Sequence, residues 1–292
     1  MYQLQLFDTS PPKRVVNVAS VPQRSPFRYP GGKTWLIPYL RHWFHTFMVK
    51  PRLMVEPFAG GGIVSLTVAF ENLAERVLMV ELDKQIASVW QVILGGEADW
   101  LADRILSFKL TRESAKEELH KTSDSPPEIA FRTLLRNRIN RGGIMAPGAG
   151  LVKHGENGKG ISSRWYPQTL SKRIRDIAKV KDRIEFVQGD GLSTMREYAR
   201  CDDAVFFIDP PYTAAGKRAG KRLYLHNKLD HEELFTLAQS LRGDFIMTYD
   251  NAAGIREMAR RHSFDFEAVP MKNTHHAEML ELLIGRHLEW AR

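Results

Sequence analysis

The sequence is nearly without cysteine: its 292 residues include one, Cys201. A single thiol excludes a disulfide framework and any cysteine-based zinc site, and it fits a reducing, intracellular compartment. No apolar stretch approaches the roughly 18 residues that a membrane-spanning helix needs. The first residues also lack the basic-then-apolar pattern of an export signal. The sequence therefore predicts a cytoplasmic protein with no membrane partner and no metal centre.

Acidic residues are scarce in one stretch of the chain. Lys and Arg outnumber Asp and Glu by 42 to 34, which gives a net charge of +8. Between Phe131 and Arg175 ten basic residues face a single acid, Glu156, so this stretch alone has a charge of +9. A second, acid-free patch consists of Lys217, Arg218, Lys221 and Arg222. Such clusters neutralise phosphates, and their position beside glycines and aromatic residues favours nucleic acid over an ordinary solvated surface.

Strand and helix patterns alternate along most of the chain. Apolar runs predict strands at 53–56, 76–82, 184–188, 204–209, 245–250 and 279–285. Amphipathic segments predict helices at 34–48, 63–72, 83–93, 167–180 and 230–241, the last opened by an Asp cap. This alternation indicates an α/β fold with a parallel sheet.

The alternation is interrupted once. Residues 91–165 form a mainly helical stretch that ends in a long glycine-rich loop, and we interpret them as an inserted domain. Residues 27–90 and 166–292 then make up the main domain, and residues 1–26, with four prolines and no periodicity, are interpreted as a tail.

A glycine-rich turn, EPFAGGG, lies between a predicted strand and a predicted helix. Glycines at this place let a ligand approach the backbone beside a helix N-terminus. Glu81 ends the next strand, where dinucleotide-type folds place an acid on ribose hydroxyls. Glu56 would repel a pyrophosphate, so an adenosine carrying an amino acid and a sulfonium fits better than NAD. A tight turn without a ligand is the alternative interpretation of the glycines alone.

The strongest candidate for chemistry is the apolar strand that ends in Asp209, Pro210, Pro211 and Tyr212. Open α/β sheets bind ligands at the carboxyl ends of their strands. Asp209 and the Pro210 carbonyl offer two acceptors for the hydrogens of an amine, which would turn the nitrogen lone pair towards an electrophile. Tyr212 offers a flat face on which a base can stack. A proline-stiffened turn capped by Asp209 is the structural alternative.

The motifs RYPGGKTWL (28–36), VEPFAGGG (55–62), VELD (80–83), QGDG (188–191) and DPPY (209–212) occur in this order. Together they resemble the Dam-like, alpha-group adenine-N6 DNA methyltransferases, over about residues 24–285. The resemblance implies a Rossmann-like methyltransferase sheet with an inserted, mainly helical target-recognition domain. It also implies S-adenosylmethionine as cofactor and double-stranded DNA as substrate.

The resemblance further implies a role for individual residues. The implied cofactor-binding residues are Tyr29, Gly31, Gly32, Lys33, Glu56, Pro57, Phe58, Gly60, Glu81, Leu82, Asp190 and Asp209. Among them Lys33 would hold the cofactor carboxylate, Glu81 would bind the ribose hydroxyls, and Asp190 would accept from the adenine amine of the cofactor. The implied catalytic residues, which would receive a flipped adenine, are Asp209, Pro210, Pro211 and Tyr212.

Sequence reading by the protein is predicted for the basic segment 131–166. Its candidates are Arg132, Arg136, Arg138, Asn140 and Arg141, at helical spacing. Arg136 and Asn140 lie four residues apart, which would place them on one helix face, and these residue types read guanine and adenine. Arg138 or Arg141 would contact phosphates. Lys217 and Arg218 are the next candidates for DNA contact.

Two alternatives stay open at this point. One is an amino-methyltransferase that acts on RNA or on cytosine N4, and the other is a nucleic-acid-binding module that kept the fold but lost activity. The inactive module is disfavoured because the motifs keep their four acids and one tyrosine, namely Glu56, Glu81, Asp190, Asp209 and Tyr212. A separately acting restriction endonuclease is a further partner that the sequence leaves open.

Overall fold

The structure is a computed structural model that describes residues 15–28, 31–145, 149–211, 229–272 and 278–292. Four of the predicted site residues lie outside the described residues, namely Tyr29, Tyr212, Lys217 and Arg218. Within the described ranges no helix has both the length and the apolar character needed to cross a membrane.

A twisted β-sheet forms the centre of the fold. Over the part of the chain that the structure describes, its strands are β1 (Leu53–Glu56), β2 (Arg76–Glu81), β3 (Ile184–Gln188), β4 (Ala204–Ile208), β5 (Phe245–Asp250), β6 (Asp265–Lys272) and β7 (Glu278–Gly285). Their order is β3-β2-β1-β4-β5-β7-β6. The strands from β3 to β5 in this order are parallel, whereas β7 runs antiparallel to both β5 and β6. The predicted α/β class is confirmed, and the sheet is mixed because β7 and β6 add antiparallel strands to the predicted parallel ones.

Helices connect the parallel strands and cover both faces of the sheet. They are α1 (Ile37–Thr46), α2 (Ile63–Glu71), α3 (Lys84–Leu94), α4 (Ala98–Ser107), α5 (Arg112–His120), α6 (Pro126–Ile139), α7 (Pro167–Ala178), α8 (Gly191–Tyr198), α9 (His231–Ser240) and α10 (Ala253–Arg261). Asp230 caps α9 by accepting from the Glu233 amide at 3.1 Å, as its sequence predicts.

The two faces of the sheet bury separate apolar cores because successive side chains of a strand point to opposite sides. In β2, Val77 and Met79 pack on one side, which carries α1 to α4, α6 and α7, and Leu78 and Val80 pack on the other, which carries α8 to α10. Burial on both sides explains why the inner parallel strands β2 and β4 are largely continuous apolar runs, whereas the edge strand β3 buries only Ile184.

The stretch predicted as an insertion is mainly helical and shares the first of these cores. Helix α6 packs on α3, and α4 packs on α7, so the inserted helices cover helices of the sheet. Leu101 and Leu134 are fully buried in the same cluster as Met54 of β1. The predicted boundary at residue 91 falls inside α3, and the domain division itself stays a prediction.

The described part of the predicted tail, residues 15–26, lies against the body of the protein. Val21 is buried, the Arg24 guanidinium is 3.0 Å from the Glu71 carboxylate, and the Ser25 hydroxyl donates to the Gly61 carbonyl at 2.5 Å. These contacts correct the interpretation of residues 15–26 as a tail. Apart from a 3-10 helix at Val18–Ser20, the segment is held by these side-chain contacts.

Candidate active site

A cavity of about 420 Å³ opens at the carboxyl ends of β1, β2 and β4. The neighbours β1 and β4 are the point at which the strand order reverses, which is where open α/β sheets bind their ligands. The cavity brings together Gly31, Gly32, Lys33, Glu56, Pro57, Phe58, Gly60, Glu81, Leu82, Asp190 and Asp209, all of which the sequence predicts as cofactor-binding.

The glycine-rich turn at the end of β1 forms the floor of the cavity. Gly60 and Gly62 have φ values of +48° and +63°, which side-chain-bearing residues rarely adopt. A Cβ on Gly62 would also lie 2.6 Å from the Met79 side chain and 2.9 Å from the Trp90 ring. The turn therefore requires glycine for its own conformation, and the start of α2, at Ile63 and Val64, also lines the cavity.

Glu56 places a buried carboxyl at the cavity. It is 3% exposed and accepts hydrogen bonds from the Ser65 amide at 3.0 Å and from the Ser65 hydroxyl. Burial raises the pKa of Glu56 to about 8, and the nearby carboxylates of Asp209 and Glu81 act in the same direction, against the two bonds from Ser65. A ligand with a positive charge at this place would favour the ionised form.

Glu81 joins the two loops that flank the cavity. Its Oε2 accepts from the Gly60 amide at 2.9 Å, and its Oε1 accepts from the Asp83 amide at 2.8 Å. Burial raises the pKa of Glu81 to about 7 despite these bonds. The carboxylate is thus fixed at the end of β2, where ribose hydroxyls lie in dinucleotide-type folds.

Asp190 lies at the start of α8, across the cavity. Its carboxylate accepts from the Ser193 amide at 2.9 Å and from the Ser193 hydroxyl at 2.8 Å, so it caps the helix. A Cβ on Gly191 would lie 2.2 Å from the Pro57 carbonyl, which makes this glycine necessary for the close approach of the two loops. Leu82, 45% exposed, offers an apolar side chain at the same end of the cavity.

Asp209, at the end of β4, contacts the side chains of Lys33 and Thr248. Its Oδ1 lies 2.9 Å from Lys33 Nζ and accepts from the Thr248 hydroxyl at 2.8 Å. Lys33 is 3% exposed, and its ammonium also lies 3.2 Å from Glu281 Oε1 and donates to the Gly31 carbonyl at 2.9 Å. The predicted contact of Lys33 with a cofactor carboxylate stays a prediction, and the structure places this ammonium on Asp209 and Glu281.

The predicted base-reading face of α6 is corrected by the structure for two residues. The helix ends one residue before Asn140, so Asn140 does not share a helix face with Arg136. Asn140 is 5% exposed, and its amide donates to the Ile144 carbonyl at 2.7 Å. Arg138 is also 5% exposed and donates to the Pro26 carbonyl. Both side chains hold loops in place and are not presented to a duplex.

The other predicted DNA contacts of this segment stay predictions. Arg136 is half-buried and donates to the Gln85 side chain at 2.9 Å, and Arg132 donates to the Ser123 carbonyl at 3.1 Å. Arg141 is exposed, directly after α6, and is the best placed of the three for a phosphate.

Asn137, which the sequence does not single out, is a fully buried amide on α6. Its side chain accepts from the Arg28 amide at 2.8 Å and donates to the carbonyls of Arg28 and Gly143 at 3.0 and 2.8 Å. Arg28 and Gly143 both line the cavity, and a Cβ on Gly143 would lie 2.0 Å from the Arg28 carbonyl oxygen. Asn137 therefore ties two loops over the cavity.

Comparison with protein families decides the class of this site. The family model described as D12 class N6 adenine-specific DNA methyltransferase matches residues 29–273, which include the glycine turn and the segment around Asp209. The chain belongs to this family. The predicted membership among the adenine-N6 DNA methyltransferases is confirmed, and the protein is an enzyme of that class.

Individual relatives of this methyltransferase are distant. The DNA adenine methylase of Vibrio cholerae serotype O1, strain O395, is 24% identical over 223 residues, which cover 74% of this chain and 75% of that protein. A Pyrococcus horikoshii structure assigned as an RNA methyltransferase covers 92% of both chains at 9% identity with a TM-score of 0.43. The precorrin-6y C5,15-methyltransferase of Geobacter metallireducens covers 83% of this chain and 84% of that chain at 10% identity with a TM-score of 0.34.

Proposed function

We propose that the protein transfers a methyl group from S-adenosylmethionine to the N6 amine of an adenine that is flipped out of duplex DNA. The observation that carries the proposal is the position of Asp209. Its carboxylate lies at the rim of the cavity, at the end of β4, with Oδ1 fixed by Lys33 and Thr248. An acceptor held in this way can receive an amine beside a bound cofactor.

The size and the polar groups of the cavity fit S-adenosylmethionine. The cavity volume, about 420 Å³, is within the range of small-molecule sites. Glu56 offers a buried carboxyl to a cationic amino-acid end, Glu81 suits ribose hydroxyls, and Asp190 with Leu82 suits an amino-substituted ring. When bound, this cofactor supplies a methyl group on a positively charged sulfur, which leaves with the electron pair of the broken bond.

The residues at Asp209 orient the amine of the base. We place the hydrogens of the adenine amine at the Asp209 carboxylate and at the Pro210 carbonyl, with Asp209 kept in position by Lys33 and Thr248. These two acceptors would withdraw the amine hydrogens from conjugation and direct the nitrogen lone pair into the cavity. The nitrogen gives up one proton as its new bond forms, and the Asp209 carboxylate can accept it. Stacking of the base on Tyr212 is part of the proposal.

The DNA contacts are proposed from charge. Arg141, Lys217 and Arg218 would bind phosphates, and Arg132 and Arg136 are the remaining candidates for contact with bases. A cytoplasmic location and a separately acting restriction endonuclease are predictions from the sequence alone.

The test measures transfer of a tritiated methyl group to duplex DNA and to RNA, followed by nucleoside analysis. We expect N6-methyladenine in DNA. The Asp209→Asn variant, which keeps the shape of the side chain but removes its charge, should lower the rate by roughly 10²–10³-fold, while cofactor affinity in calorimetry changes little. The exposed Asp202→Asn is the matched control. Methylated cytosine, a preference for RNA, or an Asp209→Asn rate within threefold of wild type would contradict the proposal.

A further inference from the structure

A second carboxylate, besides that of Asp209, contacts the ammonium of Lys33. Glu281, on β7, is 7% exposed and stands between Asp250 of β5 and Val269 of β6. Its Oε1 is 3.2 Å from Lys33 Nζ, and the same ammonium is 2.9 Å from Asp209 Oδ1. Lys33 thus connects a carboxylate at the cavity with one inside the sheet.

The position of Glu281 does not follow from packing. It shares a sheet face with Leu283, which lies in the core on the side of α1, whereas Leu282 faces the opposite core. A leucine would continue this apolar pattern without the desolvation penalty of a carboxylate. The ion pair with Lys33 offsets part of that penalty, and the same ammonium also contacts Asp209.

The charges of Lys33, Asp209 and Glu281 indicate a role for Glu281. A lysine ammonium has three hydrogens, and acceptors for them lie on Gly31, Asp209 and Glu281. The two carboxylates share the positive charge of this one ammonium. Without the charge of Glu281, the ammonium would neutralise Asp209 more fully, and Asp209 would attract the hydrogens of an amine less strongly.

We propose that Glu281 is a positioning residue for methyl transfer: it shares the Lys33 ammonium, holds it against Oδ1 of Asp209, and leaves Asp209 negatively charged towards the substrate amine. This inference rests on the proposed function. It assigns to Glu281 an effect on the chemical step and none on cofactor binding.

The first experiment is the Glu281→Gln variant of the full chain, with single-turnover methyl transfer to duplex DNA and calorimetric cofactor binding measured side by side. We expect the rate to fall by about tenfold or more, with cofactor affinity within twofold of wild type. Glu281→Asp, which keeps the charge, should recover part of the rate. Glu185→Gln, at an exposed glutamate on the opposite edge strand β3, is the control.

The second experiment asks whether Glu281 acts through Lys33. In a Lys33→Met background, Glu281→Gln should cause no further loss of rate. Equal losses in both backgrounds, an unchanged rate for Glu281→Gln, or a loss of thermal stability with a normal rate per folded molecule would overturn the inference. A wild-type protein that does not methylate adenine in DNA would instead refute the proposed function.

Discussion

Two buried carboxyl groups at the cavity hold their protons to a higher pH than a free carboxyl group does. Burial raises the pKa of Glu56 to about 8 and that of Glu81 to about 7, whereas an unfolded chain would ionise both near 4.5. Between these values the folded state binds more protons than the unfolded state, so stability falls as the pH rises through the raised pKa values. The ligand-free protein should therefore lose stability from pH 5 to pH 8 at these two groups.

A cationic ligand should reverse this preference. Binding of S-adenosylmethionine favours the ionised carboxylates, so it should release protons. The affinity for the cofactor should therefore rise from pH 6 to pH 8, and the logarithm of the binding constant should rise by up to about one per pH unit for each carboxyl group. Calorimetry at pH 7 in two buffers of different ionisation enthalpy measures the release directly. Glu56→Gln should reduce the release, and the exposed Glu185→Gln should not. Identical binding enthalpies in both buffers for wild type would show that no proton leaves.

Among the secondary-structure elements, α6 does more than fill the insertion. Through Asn137 it holds the backbone of Arg28, which leads into the Lys33 turn, and that of Gly143, which leads out of the helix. Helix α6 also packs on α3, whose N-terminus follows Glu81. The inserted helices therefore support the cofactor cavity as well as any surface that meets DNA.

Asn137→Leu tests this support. The substitution keeps the approximate size of the side chain but leaves one amide and two carbonyls without their partner, which should lower the free energy of unfolding by about 2–5 kcal/mol. Cofactor affinity should fall as well, because Arg28 and Gly143 line the cavity. Urea unfolding and calorimetry provide the two values, with Glu128→Gln near the start of the same helix as control. Unchanged cofactor affinity would show that the two loops do not depend on α6.

The sequence predicts elements well where burial is two-sided and less well elsewhere. The apolar runs of β1 and β5 have the predicted bounds because these strands lie inside the sheet, between two apolar cores. Helix α10 is nine residues long and buries only Ile255 and Ala259, and α8 is eight residues long, so each offers too short an apolar pattern for the sequence prediction to include it. Strand β6 contains Pro270, which indicates a loop, but β6 is an edge strand and tolerates proline there.

The sequence also predicts some residues of the candidate site and misses others. Residues carried by a local motif at a strand end, such as Glu81 and Asp209, are predicted and brought to one cavity. Asn137 and Glu281 are missed because their partners, Arg28 and Lys33, lie far away in sequence, and a lone buried polar residue has no local signature. Arg138 is misassigned because a basic helical spacing on a buried helix resembles one on an exposed helix. Asn140 is misassigned because α6 ends at Ile139, which takes Asn140 off the helix face.

At the scale of the whole molecule, the sheet and the inserted helices share one apolar core. Trp90 of α3 and Trp165 after the glycine-rich loop belong to the same cluster as the sheet residue Met54. The ion pairs that join α7 to α4, from Arg175 to Asp99 and Asp103, are exposed and add little to stability. The shared apolar core therefore determines whether the sheet and the inserted helices unfold together.

We expect a single unfolding transition. Far-ultraviolet circular dichroism and tryptophan fluorescence should give the same midpoint of unfolding. Leu134→Ala in α6 should lower both midpoints together and reduce the free energy of unfolding by about 2–5 kcal/mol. A conservative Leu134→Met serves as the control. Two separated transitions, of which Leu134→Ala shifts only one, would indicate that the insertion folds as an independent domain.

The pairing of β1 with β4 has a consequence for how the enzyme is made. Leu53 pairs with Ala204, so the strands that carry Glu56 and Asp209 become neighbours only after the whole intervening chain has been looped back. Loop closure over such a distance lowers chain entropy before any contact compensates for it, and contacts of this range slow folding. The strands β1 and β2, by contrast, are joined by one short helix. A newly made chain therefore acquires its glycine turn early and its methyl-transfer site late, so the catalytic centre reports on the completion of folding.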